Sequence, residues 1–129
     1  MVINYYSPGV KNRIIWGGLV SYNNVWVTGA RSATNITVSK DFTVGNKNIK
    51  AGTYAVFTIP GKEEWIFIIN KNYARHLADD YKQEEDIVRV TVKPVIAETS
   101  LERLQYFVET DKIIIAWEKL RIEIPVTVN

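Results

Sequence analysis

The sequence predicts an all-β fold, a two-sheet antiparallel β-sandwich of jelly-roll or immunoglobulin-like kind with one short helix. Three observations carry this. Apolar residues recur with period two, as in Val88, Val90 and Val92 against Arg89, Thr91 and Lys93. Short apolar runs rich in β-branched and aromatic residues are separated by turn signals at hairpin spacing. Only one segment has helical spacing. The chain of 129 residues fits one domain spanning 1–129, and with 47% hydrophobic residues it can fill a core without a disulfide or metal.

Taken in order, Ile36 and Val38 begin a strand that runs towards Phe42 and Val44. Gly45-Asn46-Lys47-Asn48 and Ala51-Gly52 bracket a short connection. Tyr54-Ala55-Val56-Phe57-Thr58-Ile59 and Trp65-Ile66-Phe67-Ile68-Ile69 are apolar on both faces. They suit central strands, or strands whose outer face a loop covers. Pro60-Gly61-Lys62-Glu63-Glu64 joins them as a hairpin loop. The helix is expected over Asn72–Tyr81, where Tyr73, Leu77 and Tyr81 fall four apart on one face. Val88 to Lys93 is a half-buried strand, with Val90 inside and Arg89 outside. Thr110-Asp111-Lys112 turns the chain between Val108 and the doubly apolar run Ile113–Trp117. Last comes an alternating strand, with Ile122 and Ile124 inside and Arg121 and Glu123 outside. Pro125 cannot donate to a ladder, which predicts that this strand is an edge or ends there.

Composition excludes several functions. The chain has no cysteine, so it has no thiol nucleophile and no cysteine-ligated zinc. Sixteen basic and 14 acidic residues leave a net charge of +2, which gives no electrostatic footprint for nucleic acid. No apolar run approaches the roughly 18 residues of a membrane span. Met1–Pro8 lacks the basic start and long apolar centre of a signal peptide.

Candidate chemistry is sparse. His76 is the single histidine, so neither a zinc site of several imidazoles nor the usual triad is expected around it. The acidic run Asp79, Asp80, Glu84, Glu85 and Asp86 lacks the spacing of an EF-hand loop and reads as a solvated turn. Glu98, Glu102, Glu109 and Glu118 are the carboxylates a glycoside hydrolase would have to pair. Asn35-Ile36-Thr37 matches a glycosylation acceptor. No catalytic residue, metal site or cofactor is assigned.

The stretch Trp16–Thr34 stands apart. It holds two of the four tryptophans and three of the seven glycines. Glycine weakens a strand interior and marks bulges or close backbone approaches, so this density points to a local function. Trp16, Tyr22, Trp26, Thr28, Arg31 and Thr34 are the expected ligand-binding residues. The aromatics supply apolar faces, Arg31 a planar cation for carboxylate or phosphate, and the threonines orienting hydroxyls. The alternative is that the tryptophans simply fill the core.

The order Tyr5-Tyr6-Ser7-Pro8, Trp16-Gly17-Gly18-Leu19-Val20, Tyr22, Val25-Trp26, Thr28-Gly29-Ala30, Ala33-Thr34 resembles the bacterial family domain of unknown function 2911. Ser39-Lys40-Asp41, Lys50–Tyr54, Phe57–Pro60, Trp65, Ile69-Asn70-Lys71, Asp80-Tyr81, Val90–Pro94 and Trp117-Glu118 continue the likeness over nearly the whole chain. It implies a single compact β-rich domain, usually exported to the periplasm or cell surface, with no established activity. The family pattern has proline at Ser21, arginine at Val27 and Asn-Glu at Arg31-Ser32, so polar positions of this stretch differ here. The expected function is a non-catalytic module of the cell envelope that binds a small molecule, a glycan or a protein. A carboxylate-dependent hydrolase and a structural or assembly domain are the alternatives.

Overall fold

The computed structural model describes residues 1–30, 32–73 and 80–129. Two antiparallel sheets face each other. The first orders β1 (Val2–Asn4), β2 (Thr34–Val38), β5 (Gly52–Ile59), β6 (Trp65–Asn70) and β7 (Asp86–Val92). The second orders β4 (Lys47–Ile49), β3 (Phe42–Val44), β9 (Lys112–Val128) and β8 (Val95–Val108). The all-β sandwich expected from the alternation is therefore the fold. Among the described residues the one named helical element is a 3-10 turn at Gln83–Glu85. The middle of the expected Asn72–Tyr81 helix, 74–79 and with it His76, lies outside the described residues.

The core lies between the sheets. Ile36, Val38, Val56, Phe67 and Ile69 meet Phe42, Val44, Ile113, Ile115, Ile122 and Ile124, all of them buried. Alternation puts these side chains on one face of each strand. The doubly apolar strands β5 and β6 have a second buried set, Ala55, Phe57 and Ile68, on their outer face. Val25, Val27 and Tyr81 cover it, so the loop that precedes β2 is the lid that lets these strands be apolar on both sides.

Two sequence expectations are revised. Val90, Arg121 and Glu123 are each half-buried rather than cleanly inside or outside. The last strand is interior, lying between β3 and β8, and it runs on through Pro125. The missing donor of Pro125 is tolerated because it falls opposite Gly45, beyond the end of β3, where the Gly45 amide still donates to the Pro125 carbonyl at 2.9 Å.

Within β9 the inward face switches. Ile113, Ile115 and Trp117 point to the core before Glu118, and Ile122, Ile124 and Val126 do so after it. Odd positions give way to even ones, as a bulge requires. Glu118 is the residue with left-handed backbone there, at φ 54°. The partner register of β8 shifts on both sides of Leu101, which pairs with Glu118.

A cationic cleft above a tryptophan cluster

The four tryptophans, distant in sequence, form one cluster. Trp16 packs edge-on against Trp65 at 5.1 Å and against Trp117 at 5.8 Å, while Trp26 stacks on Trp117 at 6.0 Å and 18°. Trp65 and Trp117 are buried core residues, and Trp16 and Trp26 pack half-buried against them. The Trp16 indole N–H donates to Glu118 Oε1 at 3.1 Å, and that of Trp117 donates to the Glu102 carbonyl at 3.1 Å.

The stretch from Trp16 to Thr34 reaches this position by stitching itself to β5 and β8. Trp26 exchanges both backbone hydrogen bonds with Thr58 of β5. Thr28, left-handed at φ 60°, is buried and shares a 2.9 Å hydroxyl contact with Thr58. Its carbonyl accepts the Thr34 hydroxyl at 3.1 Å and the Tyr106 hydroxyl at 2.6 Å. Burial drives the Tyr106 phenol pKa far up, so this donor keeps its proton. A side chain at Gly29 would have its Cβ 3.0 Å from the Tyr6 carbonyl and 3.0 Å from Thr34 Oγ1, which is why the position is bare.

Of the expected binding residues, the fold brings Trp16 and Trp26 together and directs Trp26 to a cleft. Thr28 and Thr34 lie buried beneath it with their hydroxyls engaged inside the protein. Tyr22 sits apart, half-buried against Gly17, with the Lys62 ammonium 5.8 Å above its ring. Arg31 lies outside the described residues.

The cleft has a volume of about 660 Å³. Trp26, Trp117, Gly29 and Val20 line it, together with three cations that sequence reasoning missed: Lys11, Arg13 and Arg103. Segment Pro8–Val10 runs along the outer edge of β8, with the Val10 amide donating to the Glu102 carbonyl at 2.8 Å and the Leu104 amide to the Pro8 carbonyl at 3.1 Å. That covers an otherwise open strand edge and sets Arg103 beside the N-terminal segment. The chain then reverses at Lys11 and Asn12, both left-handed, with the Arg13 amide donating to the Val10 carbonyl at 3.0 Å.

The guanidinium groups are held by main chain. Arg13 donates from Nη2 to the Gly9 carbonyl at 2.6 Å and from Nε to the Val10 carbonyl at 3.1 Å, and Arg103 Nη1 donates to the Ser7 carbonyl at 2.9 Å. Among the described residues none of the three cations forms an ion pair. Glu102, exposed, accepts the Lys11 amide on its Oε2 at 3.0 Å. Each arginine has five N–H donors, so donors remain on both. The local cue in the sequence was Lys11-Asn12-Arg13 flanked by Val10 and Ile14; Arg103 joins only through the β8 edge.

The hydrolase candidates divide. Glu98, Glu109 and Glu118 line a different groove on the outer face of β8 and β9, whereas Glu102 borders the cationic cleft. Glu109 lies 4.0 Å from Lys112, and Glu118 holds Trp16 and the Lys119 amide. No curated protein and no solved structure matches the chain. One family model does, that of a protein of unknown function (DUF2911), over residues 1–126. The chain therefore belongs to the DUF2911 family.

Proposed function

We propose that this domain is a non-catalytic binding module of the bacterial cell envelope, and that its cleft takes a small ligand carrying a phosphate or carboxylate. The observation that supports this is the company of Lys11, Arg13 and Arg103, which form no ion pair among the described residues, beside Trp26. Main-chain carbonyls fix the two guanidinium planes without neutralising them. A planar cation so held offers paired donors to an oxyanion at little further ordering cost. The half-buried Trp26 indole gives the rest of the ligand an apolar face. The exported setting in this proposal follows from the family resemblance.

Calorimetric titration with inorganic phosphate, sugar phosphates and uronic acids tests the proposal. Binding by at least one class is expected, weakened by salt. Arg103→Ala should lower the affinity roughly 10- to 100-fold, the worth of a charged hydrogen bond of about 1.5–3 kcal/mol. A parent protein that binds none of these compounds, or an Arg103→Ala variant that binds as well as the parent, would overturn the reading.

A further inference from the structure

We infer that the same cleft docks on an anionic lipid surface, with the loop from Ile14 to Leu19 entering the bilayer interface. The inference rests on the anion-binding reading and adds the source of the anion. Ile14 and Leu19 are 79% and 50% exposed, each followed directly by a buried aliphatic, Ile15 and Val20. The loop is thus anchored by one apolar pair and displays another. Its backbone holds that display in place. The Leu19 amide donates to the Ile14 carbonyl at 3.0 Å, and the Gly18 and Val20 amides donate to the Ile15 carbonyl at 3.1 and 2.9 Å. Gly18 is the residue that allows so tight a loop, because a Cβ there would stand 2.3 Å from the Ile14 carbonyl oxygen.

The cations complete the pattern. Lys11 and Arg13 lie on the turn immediately before Ile14, and Leu19 lines the cleft with them and with Arg103. Aliphatic side chains at the tip with cations set just behind suit a bilayer interface. There the apolar tip reaches the acyl boundary while the cations meet the phosphate layer. Charge complementarity commits the surface to anionic lipid. Two aliphatics on a loop tip are too small for the standard protein–protein interface of roughly 800 Å² per partner.

Flotation of the full chain with phosphatidylglycerol-rich vesicles, and with vesicles of phosphatidylcholine alone, tests this beside calorimetry with soluble phosphoglycerol. The expected result is salt-sensitive binding to the anionic vesicles only. Ile14→Asp should weaken that binding roughly tenfold or more, and Ile14→Trp should strengthen it, because interfacial affinity scales with inserted apolar area. Both variants should melt with the parent and bind soluble phosphoglycerol unchanged. If phosphoglycerol binds and vesicles do not, the membrane inference falls and the anion site stands. If vesicles bind and phosphoglycerol does not, lipid docking stands and the reading of the cleft as a ligand site falls. Equal binding to neutral vesicles, or Ile14→Asp binding like the parent, overturns the membrane inference.

Discussion

Replacing Glu118 by glycine should give a more stable protein than replacing it by alanine, the reverse of the usual order in a strand. Glu118 sits inside β9 with φ at 54°. Left-handed backbone costs an L-residue with a Cβ about 1–2 kcal/mol. The carboxylate offsets that cost, since Oε1 accepts the Trp16 indole N–H at 3.1 Å and the Lys119 amide at 2.7 Å. Alanine removes both hydrogen bonds and keeps the strain, for a loss of about 2 kcal/mol at such half-exposed positions. Glycine loses the same bonds and releases the strain, while its extra unfolded-state freedom costs about 0.5–1 kcal/mol. The glycine variant should therefore lie above the alanine variant by about 0.5–1 kcal/mol, or about 2–4 °C in Tm for a domain of this size. An ordinary strand position shows alanine ahead by about 0.5–1 kcal/mol. Glu118→Gln, which keeps an acceptor and the backbone, should fall above both. Thermal and urea unfolding followed by circular dichroism measure all three. Alanine equal to or above glycine would refute the left-handed bulge, and with it the account of how β9 switches its inward face.

Two further outcomes are expected. Ile122→Ala should cost about 2–5 kcal/mol in urea unfolding, because Ile122 is fully buried between the sheets, and a cost below about 1 kcal/mol would misplace the register after the bulge. Tyr81 has its pKa pushed from 10.0 up to about 12, first by burial and then by its hydrogen bond to Asp86. A folded pKa above the unfolded one means that the protonated phenol stabilises the fold. The contribution is complete below pH 10 and is lost as pH rises through about 12. The parent should therefore lose stability relative to Tyr81→Phe across that window, and parallel curves would show that the phenol is not so placed.

The alternation in β7 and in the second half of β9 determined the fold class, because a period of two has only one reading when each sheet has one wet face. The doubly apolar runs of β5 and β6 likewise announced that something covers their outer face. The sequence also marked Trp16–Thr34 as unusual, since glycine weakens a strand interior and three of the seven fall in this one stretch. Tertiary structure decided the rest. It placed Pro125 in an interior strand, because a missing donor matters only where a partner strand is present to receive it. It turned Glu118 into a left-handed hinge, which the sequence shows only as a glutamate between a tryptophan and a lysine. It buried the hydroxyls of Thr28 and Thr34 and left Trp26 facing a cleft. Above all, it brought Arg103 to Lys11 and Arg13 across some ninety residues of chain. Charge along a sequence carries no record of which strand edge a distant segment will cover, and that edge pairing is what gathers the three cations.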